Sequence, residues 1–130
     1  MIEFHLDSRS GVPAYLQIVQ QVRQAIRLGM LRPGDQLPTV KEVVAGLTIN
    51  PNTVLRAYGQ LDLEGLVEGR RGVGTFVAAG SAPLPPNEVR SLRSSLDRWV
   101  DRARAAGLDE ESMLALFAES VRPGSVSRVA

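Results

Sequence analysis

Apolar side chains fall at Tyr15, Ile18, Val19, Val22 and Ile26, a mixture of three- and four-residue steps that places them on one face of a helix. Pro13 is tolerated at a first helical position, and Gly29 followed by Pro33-Gly34 supplies a stop and a turn, so the first helix is predicted over 13–28. Thr39 and Glu42 have the spacing of a capping box, with the hydroxyl and the carboxylate each satisfying an orphan amide ahead of a short second helix, Val40–Leu47. Asn50-Pro51 then couples an N-cap residue to a proline at the first helical position and opens a third helix over about 51–64. Only Thr48 and Ile49 lie between the second helix and Asn50, and so tight a connection reads as a helix-turn-helix. On the third helix Val54, Ala57, Tyr58 and Leu61 make an inward stripe, while Asn52, Thr53, Arg56 and Gln60 project polar groups from another side.

At Leu66 the period changes. Leu66-Val67-Glu68 and Thr75-Phe76-Val77 read as short strands around Gly69-Arg70-Arg71-Gly72-Val73-Gly74, whose three glycines predict a hairpin. Arg70 and Arg71 at its tip, directly after a helix-turn-helix, form the wing of a winged helix, able to reach phosphates or a minor groove. Gly-Ser-Ala-Pro-Leu-Pro-Pro-Asn at 80–87 predicts a stiff, extended linker. Beyond it Val89, Leu92, Leu96, Trp99, Ala103 and Ala106 form an a/d seam on a helix over 88–106 that Gly107 ends. Asp109 caps a shorter helix in which Met113, Leu114, Phe117 and Val121 are apolar, Pro123-Gly124 stops it, and 122–130 reads as a flexible tail. The expected fold class is mainly α with a small β-hairpin wing (α+β): a winged helix-turn-helix at 1–79, a linker at 80–87 and a two-helix segment at 88–121. Two helices of this length cannot bury an apolar stripe alone, which predicts a homodimer with Leu92, Leu96, Trp99, Ala103, Met113 and Phe117 in its core.

Composition narrows the chemistry. The 130 residues suffice for one small domain and an appendage, and 44% hydrophobic with 22% charged residues is ordinary for a folded chain. No apolar run approaches a membrane span and the N-terminus lacks the regions of a signal peptide, so the expectation is a cytoplasmic protein without a membrane partner. With no cysteine and the single histidine His5, the chain lacks disulfides, thiolate metal sites, cysteine nucleophiles and histidine-based triads; neither a metal, a cofactor nor an enzymatic activity is expected. Net charge is only +1, but 14 of the 15 basic residues are arginine, with Lys41 the exception. Arginine suits phosphates and guanine edges, and its abundance equally follows from codon usage in a G·C-rich genome. Residues 1–80 carry eight basic and seven acidic side chains, so any nucleic-acid contacts must be few and well placed.

In this order, Gly11-Val12-Pro13-Ala14-Tyr15-Leu16-Gln17-Ile18, Leu31-Arg32-Pro33-Gly34-Asp35-Gln36-Leu37-Pro38, Ile49-Asn50-Pro51-Asn52-Thr53-Val54, Leu61-Asp62-Leu63-Glu64-Gly65-Leu66-Val67 and Arg71-Gly72-Val73-Gly74-Thr75-Phe76-Val77 resemble the GntR superfamily of bacterial transcription regulators, specifically its small YtrA-like subfamily. The resemblance spans nearly the whole chain and implies a C-terminal pair of helices used for dimerisation. It also implies a phosphate contact at Lys41, contacts from Asn50, Asn52 and Thr53 in the leading turn of the recognition helix, and wing-tip contacts at Arg71 and Gly72. Together with Thr39, Arg56 and Arg70 these are the candidate DNA-binding residues. Many relatives carry arginine where this chain has Pro51 and Leu55, and Thr48 stands where a helix-turn-helix usually has glycine. The implied function is a homodimeric repressor on an inverted-repeat operator in double-stranded DNA, controlling its own operon and an adjacent ABC transporter, with a small-molecule effector as a further partner. A nonspecific architectural or protein-interaction winged-helix module is the alternative reading.

Overall fold

Five helices and one hairpin follow in order: α1 (Ala14–Arg27), α2 (Val40–Leu47), α3 (Pro51–Leu63), β1 (Val67–Arg70), β2 (Gly74–Val77), α4 (Pro86–Ala105) and α5 (Glu110–Val121). The computed structural model describes residues 2–81 and 83–122, and the chain divides into two compact units, Met1–Val89 and Arg90–Ala130. The fold is a winged helix with additional C-terminal helices. Among the described residues no helix is long and apolar enough to cross a membrane.

Local capping sets the helix starts. Pro13 stands just outside α1, its carbonyl accepting from the amides of Leu16 and Gln17 at 3.0 and 3.1 Å. At α2 the Thr39 hydroxyl accepts from the Glu42 amide at 3.1 Å and the Thr39 amide donates to Glu42 Oε1 at 3.0 Å. Those bonds from Thr39 favour the ionised Glu42 carboxylate and hold its pKa below the usual range. At α3 Asn50 Oδ1 accepts from the Asn52 amide at 2.8 Å, with Pro51 at the first helical position.

Between α2 and α3, Thr48 adopts the left-handed conformation, φ 55° and ψ 51°, and is the one described non-glycine residue with positive φ. The sharp turn needs that conformation, so the β-branched residue takes it and the turn stays intact. Left-handed backbone costs about 1–3 kcal/mol for such a residue, against about 0.5–1 kcal/mol of extra chain entropy lost by glycine. Thr48→Gly is therefore expected to stabilise the protein by about 1 kcal/mol, read as a higher urea midpoint at unchanged slope. An unchanged or lower midpoint would show that the turn holds threonine without strain.

The core of the first unit lies where α1 and α3 meet. Ile18, Val19, Val22, Val54 and Leu61 are fully buried there with Leu37 and Val77. The Tyr58 hydroxyl donates to the Pro38 carbonyl at 2.6 Å, and burial pushes this phenol's pKa upward. Arg23 of α1 grips Glu64 with both Nε and Nη2, the shortest contact being 2.8 Å, and Gln60 donates to the same carboxylate at 2.9 Å. The Gln60 bond and then the Arg23 bond and charge hold the Glu64 carboxyl below its usual range. The N-terminal segment runs along α1, where Gln21 brackets the backbone of His5, accepting from its amide at 3.0 Å and donating to its carbonyl at 2.7 Å.

The hairpin pairs Val67 with Val77 and Arg70 with Gly74. Its strands therefore extend past the 66–68 and 75–77 expected from the apolar positions. Arg70 becomes the last paired residue, and the tip shrinks to 71–73. A third piece of chain pairs with β2 at Gln36 and Phe76, with the Leu37 amide donating to the Thr75 carbonyl at 2.8 Å. Gly74 is favoured by its φ of 146°, and a Cβ there would lie 2.6 Å from Nε2 at the flexible end of Gln36, which would have to shift.

After β2 the Leu84 amide donates to the Arg27 carbonyl at 2.9 Å, tying the segment after the hairpin to the end of α1. Pro86 and Asn87, expected in the linker, form the first turn of α4, because proline is well suited to a first helical position. In the second unit Asp109 Oδ1 accepts from the Ser112 amide at 2.8 Å to start α5, which also keeps the Asp109 pKa low. Ala103 and Met113 are buried and Trp99 is half-buried, whereas Leu92, Leu96, Leu114, Leu116, Phe117 and Val121 are exposed. The expected Pro123-Gly124 stop and the tail lie outside the described residues, apart from Arg122 at the end of α5.

Candidate nucleic-acid interface

The start of α3 presents its capping groups to solvent. Pro51 and Asn52 are exposed and Thr53 is half-buried, while Val54, Ala57 and Tyr58 turn inward and fix the rotation of the helix. Asn50 spends its side-chain oxygen on the cap, which leaves its amide NH2 facing outward as a donor. Thr39 likewise uses its oxygen as an acceptor and keeps a hydroxyl proton to donate. Lys41, one residue into α2, is exposed and makes no ion pair among the described residues.

The three arginines expected to face DNA differ in their surroundings. The Arg56 guanidinium lies 3.8 Å from the ring centroid of Tyr15 on α1. Stacking of this kind holds the charge in place while its edge donors stay available for phosphate. Arg70 is similarly laid over Phe76 at 4.2 Å and is paired with Glu68 at 3.2 Å, an exposed pair of small energetic weight. Arg71, outside the ladder in the exposed turn with Gly72, has no side-chain partner among the described residues. The structure thus brings Thr39, Lys41, Asn50, Asn52, Thr53, Arg56, Arg70, Arg71 and Gly72 onto one folded unit. Of the cations among them, Lys41, Arg56 and Arg71 have no ion-pair partner among the described residues.

Three supporting residues escape pattern reading. Tyr15 reads as a core residue of the first helix, yet its ring carries Arg56. Phe76 reads as a strand residue, yet its ring carries Arg70. Gln36 braces the wing by donating to the Val73 carbonyl at 3.3 Å. Each partner is far away in sequence, and no local spacing signals it.

The sequence model of the bacterial regulatory proteins of the gntR family matches residues 14–77, from the first residue of α1 to the last of β2. The HTH-type transcriptional repressor YtrA of Bacillus subtilis is 35% identical over 109 residues, 83% of this chain and 84% of that protein. The chain belongs to the GntR family. It is a DNA-binding transcriptional regulator of the YtrA-like type. Among solved structures, this GntR regulator superposes on YtrA from Sulfolobus acidocaldarius, a GntR-family transcription factor, with a TM-score of 0.54 at 30% identity, covering 78% of this chain and 97% of that one. The DNA-binding domain of AraR in complex with operator ORX1 matches with a TM-score of 0.52 at 28% identity, over 59% of this chain and 96% of that one.

Proposed function

We propose that this GntR regulator is a cytoplasmic homodimeric repressor that occupies an inverted-repeat operator, with α3 in the major groove and the wing beside it. In this reading Asn50, Asn52 and Thr53 lie near base edges. Lys41, Arg56, Arg70 and Arg71 contact mainly phosphates, and Thr39 and Gly72 contribute through short polar and backbone approaches. The apolar side chains of α4 and α5 make the dimer, which sets two copies of α3 on symmetry-related half-sites. Control of its own operon and of a neighbouring ABC transporter, with a small-molecule effector, belongs to the same proposal. The observation that carries it is the set of candidate cations without an ion-pair partner among the described residues, Lys41, Arg56 and Arg71, on the unit whose α3 exposes Asn52.

The test is fluorescence anisotropy against the DNA upstream of its own gene and a scrambled duplex over a salt series. Binding at least about 10³-fold tighter to the native fragment supports a specific, autoregulated repressor. Equal and steeply salt-sensitive binding to both favours the architectural module, and no binding to either favours a protein-interaction role. Arg71→Ala is expected to weaken binding to all sequences alike and to reduce the salt slope by about 1 for each half-site engaged. A loss confined to one sequence would remove Arg71 from the phosphate set.

A further inference from the structure

The outward face of α3 is poor in charge. Its buried stripe runs through Val54, Ala57, Tyr58 and Leu61, and the exposed side carries Asn52, Leu55 and Gly59 on successive turns. Leu55 is 55% exposed. The helix holds one cation, Arg56, which is laid against Tyr15 of α1, and its one acid, Asp62, lies in the last turn, far from the leading end. Arg56, held on Tyr15 and assigned above to phosphate, is the one guanidinium on the first two turns, and no other side chain there offers the paired donors that recognise guanine. An asparagine and an apolar side chain on neighbouring turns match the two parts of an A·T pair instead. The Asn52 amide suits adenine N6 and N7, and Leu55 suits the 5-methyl of thymine, the one apolar group at the edge of a major-groove base.

Gly59 points the same way by a separate observation. A glycine inside a helix costs about 0.5–1 kcal/mol relative to alanine. The fold does not need it, because a Cβ at Gly59 would meet nothing within 4 Å and its φ is not positive. What a bare backbone at this exposed position permits is close approach of an outside surface. From Asn52 to Gly59 the helix rises about 10 Å, or roughly three base-pair steps.

We propose that Leu55 is the specificity-determining side chain of α3. It reads thymine 5-methyl groups in an A·T-containing half-site, with Asn52 on adenine and Gly59 admitting the duplex edge. The proposal rests on the placement of α3 in the major groove put forward above.

The protein is first offered duplexes with a randomised core, and a selected duplex is then remade with each thymine replaced in turn by deoxyuridine, which deletes only the methyl. Binding is expected to weaken about four-fold at one or two positions per half-site, from about 0.8 kcal/mol for one buried methyl group at about 1.4 kcal/mol per tenfold. Leu55→Ala is expected to bind the thymine duplex more weakly and to lose the penalty at those positions. Gly59→Ala is expected to unfold at higher temperature yet bind less tightly. Tolerance of uracil at every position, or an unchanged penalty in Leu55→Ala, overturns the proposal while leaving specific binding in place. Undiminished binding by Gly59→Ala overturns the close approach. Selection that yields no preferred sequence fails the major-groove reading itself, and this proposal with it. Leu55 is exposed and lies outside the core cluster, so a folded Leu55→Ala protein is expected, checked by its circular dichroism.

Discussion

Leu61→Ala is expected to cost about 3 kcal/mol, within the range of about 2–5 kcal/mol for truncating a buried leucine to alanine. The side chain is at 0% exposure on α3, within the core that α3 shares with α1, so truncation removes apolar contacts and leaves a cavity. For a unit of this size each kcal/mol lowers the midpoint by about 4–8 °C, so the first unfolding transition should fall by roughly 15 °C. Leu63, two residues on, is the control: it is 86% exposed, and Leu63→Ala is expected to change stability by less than about 0.5 kcal/mol. Calorimetry of the three proteins decides the matter. Equal effects at the two leucines would mean that the rotation of α3, and with it the assignment of its outward face, is wrong. Because Val54, Ala57, Tyr58 and Leu61 share one stripe, losing Leu61 also loosens the surface that orients Asn52, and DNA affinity should fall when measured near the lowered midpoint.

In the proposed homodimer, Leu92→Glu combined with Phe117→Glu is expected to leave a folded monomer and to lower affinity for the proposed inverted-repeat operator by at least about 10²-fold, the scale on which linking two binding modules raises avidity. Leu92 is 68% exposed and Phe117 46% exposed, so neither is held by the interior of its own unit. Their burial must come from another surface or not at all. A carboxylate in a desolvated dimer core opposes association strongly, while on a solvated helix face it changes little. Light scattering coupled to size exclusion reads the mass, and anisotropy on a palindromic duplex and on a single half-site reads the affinity. A doubly substituted protein that stays dimeric places the interface elsewhere. One that is monomeric yet binds the palindrome as tightly as before removes the dimer from the recognition mechanism.

Much of the architecture was legible from residues a few positions apart. Thr39 with Glu42, Asn50 with Pro51 and Asp109 with Ser112 each act within one turn, so these starts appear where the pattern puts them. The wing was legible as a hairpin but not in its register. Gly69 and Arg70 lack the alternation of a half-buried strand, yet the ladder recruits them because Thr75 and Gly74 face them across it. The second unit was legible as two helices with apolar residues, but not in which of those are covered. Ala103 and Met113 are buried, and the larger Leu92 and Phe117 are not.

The candidate site divides in the same way. That Arg56, Arg70 and Arg71 are present in a winged-helix pattern is a matter of sequence. That two of them are held on aromatic rings and the third is unpartnered follows only from which distant segments meet. What the sequence by itself determined is the set of elements and the polarity of their faces, because helix periodicity, capping and turn chemistry act over three or four residues. Tertiary structure alone decided the left-handed turn at Thr48, the Arg23–Glu64 clasp across 41 residues, the brace of Gln36 behind Gly74 and the exposure of Leu55. Each of these depends on how α1, α2, α3 and the wing are held against one another, and burial of their apolar faces fixes that arrangement without leaving a local signature.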